Sequence, residues 1–260
     1  MKLKGKTALI TGASRGIGKA IALELANQGV SCLLLLARNA QALADLAAEI
    51  EELNVQAIPL AVDLTKVEAL STTISQAWRD YGPIHLLVNC AGIAHQAPFL
   101  QSKLKNVQEE INVNLMGLYT VTRLVARRMA SQQDGVIVNV SSLMGKLAAP
   151  TMSTYSATKF AILGFTQALR GELASHNVRV LALLPSLTDT DMVRQMQLFR
   201  WVVPSTSKQV AEALVKGVLS ESPEIFVDWQ SRIAAIAHRI VPWLMEKVIQ
   251  TAAPVYEPSR

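Results

Sequence analysis

The sequence predicts an α/β protein with one parallel β-sheet of about seven strands and helices on both faces. Short apolar runs alternate with longer helical patterns nearly from end to end, which is typical of this class. The runs consist almost entirely of Val, Ile, Leu and Ala, as in strands that are buried on both faces. No repeat and no Pro-, Gly- or Ser-rich linker interrupts the alternation, so we expect one main domain.

The predicted strands cover residues 7–11, 32–37, 57–62, 85–88, 136–140, 178–184 and, more weakly, 225–227. Helical patterns lie between them, over about 16–28, 40–53, 66–81, 108–131, 154–175 and 207–219. Segment 189–205 has no regular pattern and carries several apolar side chains. Because loops at the carboxyl ends of parallel strands line the ligand crevice, this segment is a candidate lid, and the alternative is an ordinary surface loop.

Composition and charge exclude several other classes of protein. Half of the 260 residues are apolar, and 25 basic against 20 acidic residues leave a scattered net charge of +5. This pattern argues against nucleic acid as a partner. Two cysteines, Cys32 and Cys90, are too few for a disulfide framework or a cysteine zinc site, and the four histidines show no metal-ligand spacing. These counts and spacings lead us to expect no metal. No apolar run is long enough for a signal peptide or a membrane span, so we expect a cytoplasmic protein.

A glycine-rich loop follows the first predicted strand, where residues 11–18 read T-G-A-S-R-G-I-G. Glycines let the backbone turn sharply and approach a ligand, while the start of a helix offers free N–H groups to a pyrophosphate. Three glycines at this place favour a dinucleotide over a turn that needs glycine for steric reasons alone. The predicted coenzyme contacts in the loop are Gly12, Ser14, Arg15, Gly16, Ile17 and Gly18.

The end of the second predicted strand indicates which dinucleotide binds. An acidic residue at this place accepts hydrogen bonds from the ribose of NAD, whereas a basic residue pairs with the extra phosphate of NADP. Here the strand ends in Ala37, Arg38 and Asn39 without a carboxylate, and Arg15 could join Arg38. The sequence therefore favours NADP(H), and the alternative is that Arg38 is a solvated residue at the start of a helix.

Tyr155 and Lys159 stand four residues apart in a helical stretch, so both project from one face. A free tyrosine titrates near pH ~10, and an adjacent ammonium group brings the pKa of the phenol toward the working range. Ser142 ends the fifth predicted strand and could hold a substrate carbonyl in line with the phenol. The alternatives are an amphipathic helix with a solvated lysine, and a serine, Ser141 or Ser142, that caps the next turn.

With these residues in view, the sequence resembles the short-chain dehydrogenase/reductase family, in the compact branch that includes 3-oxoacyl and carbonyl reductases. The resemblance runs from about residue 4 to about residue 228. Residues 11–18 match T-G-x-x-x-G-x-G, residues 89–92 (N-C-A-G) resemble N-N-A-G, and residues 185–190 (P-S-L-T-D-T) are similar to P-G-x-x-x-T. Asn114, Ser142, Tyr155 and Lys159 fall where the family places its catalytic tetrad.

The resemblance implies a Rossmann-type doubly wound sheet and an NADP-binding catalytic domain over residues 1–228. It implies that Asn114 kinks its helix and that Lys159 hydrogen-bonds the nicotinamide ribose. Asp63 looks like the adenine contact and Asn89 like a residue that steadies the sheet, although a helix cap and a turn residue are their alternatives. The other implied coenzyme contacts are Leu64, Ala91, Gly92, Tyr155, Pro185, Thr188 and Thr190.

The chain departs from the family pattern at three places. Cys90 replaces an Asn, Ser186 replaces a Gly, and residues 229–260 replace the Gly-rich tail of many bacterial acyl-carrier-protein ketoreductases. This C-terminal extension shows an amphipathic pattern that Pro242 should break. We favour packing on the same domain or on a second subunit, as in a homodimer or homotetramer, and contact with a membrane surface is the alternative.

Two functions follow from these expectations. The first is an NADP(H)-dependent oxidoreductase that interconverts a carbonyl and a secondary alcohol on an apolar small molecule, such as a 3-oxoacyl compound or a fatty or steroid-like ketone or aldehyde. The second is a non-catalytic NADP-binding scaffold, or a membrane-surface adaptor that uses the C-terminal extension. The complete set of Asn114, Ser142, Tyr155 and Lys159 favours the enzyme.

Overall fold

The computed structural model describes residues 2–194, 196–200 and 202–254. Within them, seven parallel strands form one sheet in the order β3-β2-β1-β4-β5-β6-β7. The strands are β1 (Thr7–Thr11), β2 (Cys32–Ala37), β3 (Gln56–Ala61), β4 (Leu86–Asn89), β5 (Gly135–Val140), β6 (Val178–Leu184) and β7 (Glu224–Phe226). The order reverses direction between β1 and β4, and such a switch point opens a ligand crevice at the carboxyl edge of the sheet.

Ten α-helices connect and follow these strands in the described part of the chain. They are α1 (Gly16–Asn27), α2 (Ala40–Glu51), α3 (Val67–Tyr81), α4 (Leu104–Glu110), α5 (Leu118–Gln132), α6 (Ser153–Leu173), α7 (Asp191–Arg194), α8 (Ser207–Leu219), α9 (Trp229–Ile240) and α10 (Pro242–Ala252). A π-helical segment, Ile111–Gly117, joins α4 to α5. Short 3₁₀ turns lie at Phe99–Gln101, Leu143–Gly145 and Ala174–His176.

The core consists of two layers, one on each face of the sheet. Helices α1, α2 and α8 bury their apolar stripes against one face, and α3, α5 and α6 cover the other. Every residue of β1, β2, β4 and β5 is buried, as their continuous apolar sequences predict. The prediction of a doubly wound α/β sheet is therefore confirmed.

The expectation of burial on both faces is wrong for β3. This strand lies at the edge of the sheet, and Gln56, Pro59 and Ala61 are exposed. Pro59 lacks a backbone N–H donor, and edge strands tolerate proline because one side of the strand has no partner. Pro59 was the available signal in the predicted run 57–62, and the polar Gln56 lies just before it.

The helix predicted over 108–131 begins earlier and is not regular. It starts at Leu104, and its middle part has the wider π-helical turn at Ile111–Gly117. The implied kink near Asn114 is thus a π-helical turn. Such turns interrupt α-helices frequently at functional sites.

The last two helices form the C-terminal extension, as far as Pro254. The break predicted at Pro242 is present, because α9 ends at Ile240 and Pro242 is the first residue of α10. Residues 255–260 of the predicted extension, and residues 195 and 201 of the predicted lid, lie outside the described part of the chain. Among the residues described, no helix is both long and apolar enough to cross a bilayer.

Candidate active site

A cavity of about 640 Å³ runs along the carboxyl edge of the sheet. The predicted site residues that line it are Gly12, Ser14, Arg15, Gly16, Ile17, Gly18, Arg38, Asp63, Leu64, Ala91, Gly92, Ser142, Tyr155, Lys159, Pro185, Thr188 and Thr190. Asn89 and Asn114 are buried and do not line the cavity. One end of the cavity is therefore built from the glycine-rich loop, and the other end lies under the lid and α10.

The glycine-rich loop leaves space that side chains would fill. A Cβ atom at Gly18 would lie 2.2 Å from the carbonyl oxygen of Gly12, and one at Gly12 would lie 2.8 Å from Cα of Ala91. The φ angles of Gly12 and Gly16 are +70° and +55°, which glycine adopts without strain. No side chain caps the N-terminus of α1, so its first N–H groups remain free for a phosphate.

The end of β2 carries no acidic residue. Asn39 caps α2, since its side chain accepts a hydrogen bond from the N–H of Ala42 (3.1 Å). Arg38 precedes it, is exposed and has no ion pair with a carboxylate in the described part of the chain. A free cation at this edge of the cavity suits a phosphate better than a ribose with two free hydroxyls.

Asp63 lies across this end of the cavity from Arg38. Its carboxylate accepts hydrogen bonds from the N–H and the hydroxyl of Thr65, both at 2.9 Å. Burial alone would raise the pKa of Asp63, but these hydrogen bonds and the positive charge of Arg38 hold it below its usual value. The N-cap of α3 is Lys66, so Asp63 does not cap this helix. Asp63 instead holds the turn at Thr65 and lines the cavity.

Arg15 lines the same cavity as Arg38 and points toward the lid. Its guanidinium lies 3.6 Å from the carboxylate of Asp191, at the start of α7. Both side chains are more than half exposed, so this ion pair contributes little to stability. It does connect the glycine-rich loop to the lid across the cavity.

Tyr155, Lys159 and Ser142 meet at the centre of the cavity. Nζ of Lys159 lies 5.4 Å from the ring centroid of Tyr155 and donates a hydrogen bond to the carbonyl oxygen of Val140 (3.0 Å). The hydroxyl of Ser142 accepts from the N–H of Met144 (3.1 Å), which caps the following turn, and donates to the carbonyl oxygen of Pro185 (3.4 Å). It also lies close enough to the phenol of Tyr155 to lower the pKa of that group. Ser141 also lines the cavity, but its hydroxyl donates to the carbonyl oxygen of Lys159 (2.9 Å), and Ser142 is the serine that acts on Tyr155.

Burial changes the acidity of both partners in this group. It raises the pKa of Tyr155 to about 12, although the hydrogen bond from Ser142 lowers it. It lowers the pKa of Lys159 to about 8. The nearby Glu110 and Cys90 also raise the pKa of Tyr155, and the expected lowering by Lys159 is not among the causes of its shift. Tyr155 is thus held as the neutral phenol, the form that donates a proton, beside a lysine that is mainly an ammonium at neutral pH.

Asn114 is completely buried in the π-helical turn. Its amide forms two hydrogen bonds with Ile93, accepting from the N–H (2.8 Å) and donating to the carbonyl oxygen (2.9 Å). A Cβ atom at Gly92 would lie 3.4 Å from Oδ1 of Asn114 and 3.6 Å from Nζ of Lys159. Asn114 therefore fixes the loop after β4 next to the lysine, and Gly92 keeps the space between them open.

Asn89 belongs to a buried chain of polar side chains across the sheet. Its amide nitrogen donates to Thr122 and to Asn139, both at 2.8 Å, and Asn139 donates to Thr166 at 2.9 Å. These contacts connect β4 and β5 to helices α5 and α6. Helix α6 carries Tyr155. The geometry agrees with the reading of Asn89 as a residue that steadies the sheet and not with a turn residue.

The loop after β6 is anchored to the C-terminal extension. Ser186, which replaces the family's Gly, donates a hydrogen bond to Oδ2 of Asp228 (3.0 Å). Asp228 is the N-cap of α9, and it accepts from both the N–H and the hydroxyl of Ser231 (2.6 and 2.8 Å). One carboxylate thus fixes both the coenzyme-side loop and the first turn of α9. No sequence pattern shows this link, because Ser186 and Asp228 lie far apart in the chain.

Apolar side chains line the other end of the cavity. They come from the segment after β5, the lid and α10: Leu143, Met144, Leu147, Met152, Met192, Val193, Phe199, Val202 and Ile249. The N–H of Arg200 in the lid donates to the carbonyl oxygen of Ala252 (2.8 Å), which holds the lid against α10. Ile249 was not among the predicted site residues. The amphipathic pattern runs through the adjacent Val248, which is exposed, so it did not mark the face of α10 that meets the site.

Glu110 is a second residue that sequence reasoning missed. It is 1% exposed, and its Oε1 accepts a hydrogen bond from the N–H of His95. Oε2 has no hydrogen-bond partner among the described residues, and burial raises the pKa of this carboxyl group. Glu110 stands four residues before Asn114, and this spacing on one helical face was the available signal.

The fold and this group of residues define a class of protein, an oxidoreductase with a dinucleotide crevice. Comparison with known proteins gives the family. The family model for short chain dehydrogenase matches residues 6–201. The chain is 36% identical over 194 residues to the 3-oxoacyl-[acyl-carrier-protein] reductase of Synechocystis sp., covering 75% of this chain and 78% of that protein. The chain therefore belongs to the short-chain dehydrogenase family.

Two solved structures extend the comparison. A short chain dehydrogenase from Burkholderia cenocepacia in complex with NADP is 26% identical, with a TM-score of 0.85 over 98% of this chain and 100% of that one. A 3-ketoacyl-(acyl-carrier-protein) reductase from Brucella melitensis complexed with NADH is 28% identical, with a TM-score of 0.79 over 87% and 98%. Similar folds therefore hold either coenzyme, so the choice between them depends on local residues.

Proposed function

We propose that this protein is an NADP(H)-dependent reductase of apolar carbonyl compounds, with 3-oxoacyl thioesters as the leading substrate class. The observation that carries the proposal is the position of Tyr155, Lys159 and Ser142 between a glycine-rich loop and an apolar pocket. The expected cytoplasmic location and assembly into dimers or tetramers are part of the same proposal.

The residues would divide the work of the reaction as follows. The bound coenzyme would supply the hydride. Ser142 would donate a hydrogen bond to the substrate carbonyl oxygen, and Tyr155 would give that oxygen its proton. Lys159, as an ammonium, would stabilise the phenolate that Tyr155 becomes, and Asn114 would keep the loop after β4 in place beside it. In the reverse direction, Tyr155 would take the proton back.

The coenzyme preference rests on the end of β2. Exposed Arg38 would pair with the extra phosphate of NADP(H), and no acidic side chain at this position would accept bonds from the NAD ribose. The free N–H groups of α1 and the close approach allowed by Gly12 and Gly18 would hold the pyrophosphate.

The substrate class rests on the apolar end of the cavity. Side chains such as Met152, Phe199 and Ile249 offer contacts to an acyl chain and few polar groups that would select a sugar. The Synechocystis relative, a 3-oxoacyl-[acyl-carrier-protein] reductase, supports the 3-oxoacyl assignment. A non-catalytic scaffold is less favoured, because it does not require Tyr155 and Lys159 in contact.

The test is oxidation of NADPH and of NADH against a panel of carbonyl compounds that includes 3-oxoacyl thioesters, fatty aldehydes and sugars. We expect activity with NADPH and an apolar member of the panel. Tyr155→Phe should reduce kcat by about 10²- to 10⁴-fold, because it removes the general acid. Tyr119→Phe, at an exposed tyrosine on α5, is the matched control. Full activity of Tyr155→Phe, or no turnover of any carbonyl by the wild type, would contradict the proposal.

A further inference from the structure

Helix α9 presents its apolar side to the outside of the protein. Trp229, Ile233, Ile236 and Ile240 recur at steps of three and four residues and form one line along the helix, here called the α9 stripe. Trp229 is 70% exposed and Ile240 is 72% exposed. Ser231, about 200° around the helix from Trp229, is 3% exposed. The side of the helix that meets the domain carries this serine and the partly buried Ala234, Ala235 and His238, so the line of Trp and Ile side chains is left uncovered.

The two C-terminal helices have little support from the domain. In each of them a single residue is buried, Ser231 in α9 and Ala252 in α10. Isolated helices of this length are marginal in water, and most helical stability in proteins comes from packing of the apolar face. The α9 stripe therefore requires another surface to cover it.

Charge indicates what that surface is. Arg232 and Arg239 border the α9 stripe along one side, and Lys247 lies on the outer side of α10. None of the three has an ion pair with a carboxylate in the described part of the chain. Between residues 229 and 254 the sequence contains one acidic residue, Glu246.

This charge distribution disfavours a second copy of the chain on the same face. A symmetric pair joined through the α9 stripe would bring Arg232 and Arg239 of one copy close to the same arginines of the other, with almost no acidic side chain to offset them. An anionic lipid surface satisfies both features, since it accepts apolar side chains between its headgroups and offers phosphates to the arginines.

The position of the lid agrees with an anionic lipid surface as the partner of the α9 stripe. Leu198, Val202 and Val203 of the lid are also exposed, and the hydrogen bond from Arg200 to Ala252 joins the lid to the end of α10. Ile249 of α10 and Val202 line the apolar end of the cavity. Exposed apolar side chains therefore also lie at this end of the cavity.

We propose that the α9 stripe, with Arg232 and Arg239 at its border, docks the protein on an anionic bilayer surface without crossing it. The helix lies in the interface, and the apolar end of the cavity then opens beside the membrane. This proposal does not depend on the reaction, because docking and turnover are measured separately.

Flotation of the full-length protein with lipid vesicles tests this proposal. The vesicles are phosphatidylcholine alone, or phosphatidylcholine with phosphatidylglycerol. We expect binding to the anionic vesicles that weakens with added salt. Arg232→Gln with Arg239→Gln should reduce that binding about 30-fold. Ile236→Glu should reduce it about 30-fold or more, because it loses an apolar contact and adds a negative charge. Gln230→Glu, an exposed change of the same charge on the same helix outside the α9 stripe, should reduce it about fivefold at most.

The oligomeric state, measured by light scattering on the same samples, separates the alternatives. If the wild type fails to float with anionic vesicles at low salt, the proposal is wrong. It is also wrong if Ile236→Glu converts a dimer into a monomer and the wild-type dimer does not bind vesicles, because a second copy then covers the stripe. Thermal melting of Ile236→Glu checks that the exposed substitution leaves the domain folded.

Discussion

The two ends of the cavity are built in different ways. At the coenzyme end, the backbone of the glycine-rich loop and the first turn of α1 form the surface, and added Cβ atoms would collide with main-chain atoms. At the substrate end, side chains from the lid and α10 form the surface, and several of them are partly exposed. A main-chain surface binds one shape, whereas a side-chain surface changes with every substitution. The substrate end is therefore where related chains can diverge most easily.

The first prediction tests whether the coenzyme end is rigid. Gly18→Ala places a Cβ atom 2.2 Å from the Gly12 carbonyl oxygen, so the loop must move away from its present position. Overpacking of about 1–3 kcal/mol should weaken NADPH binding about 10- to 100-fold, measured by fluorescence titration. Gly164→Ala, where an added Cβ meets open space in α6, is the control. Equal affinity of the two variants would show that the loop is not rigid.

The second prediction concerns the centre of the cavity, between the two ends. Lys159 is a base whose pKa is lowered to about 8, so its ammonium form is lost above that pH. Carbonyl reduction should therefore slow by up to about tenfold per pH unit above pH 8, because neutral Lys159 no longer stabilises the Tyr155 phenolate. The measurement is kcat from neutral pH upward. A rate that stays constant to the usual lysine range would mean that burial does not control Lys159.

The third prediction tests the side chains of the substrate end. Ile249→Ala removes part of the apolar wall that α10 contributes, at a cost of about 1 kcal/mol in substrate contacts. We expect kcat/KM for a long-chain substrate to fall about fivefold, while the KM for NADPH stays the same. Val248→Ala, an exposed neighbour on the outer side of α10, should leave both values unchanged. If Val248→Ala and Ile249→Ala behaved alike, α10 would not be part of the substrate site.

The same contrast explains what the sequence could predict. The boundaries of β1, β2 and β6 agree with the prediction, because buried parallel strands are marked by continuous apolar runs. The glycine-rich loop and the Tyr155–Lys159 pair were also found, since short spacing determines their geometry. Local sequence therefore predicts the coenzyme end and the catalytic centre well.

Other features depend on contacts between distant parts of the chain. The wider turn at Ile111–Gly117 follows from the buried hydrogen bonds of Asn114 with Ile93, which no local pattern shows. The substrate end was predicted least well, because Ile249 reaches it from the far end of the chain.

The smallest expected effect concerns the hydrogen bond that links the coenzyme-side loop to the C-terminal extension. Ser186→Ala removes the hydrogen bond from the coenzyme-side loop to Asp228 but leaves Asp228 as the cap of α9. Ser231→Ala makes the complementary change, because it removes one bond of the cap and leaves the link intact. A partly exposed bond of about 0.5 kcal/mol should raise the KM for NADPH about twofold in Ser186→Ala and leave it unchanged in Ser231→Ala. If both variants raised this KM equally, the C-terminal extension would support the coenzyme loop through the stability of α9 and not through the Ser186 hydroxyl.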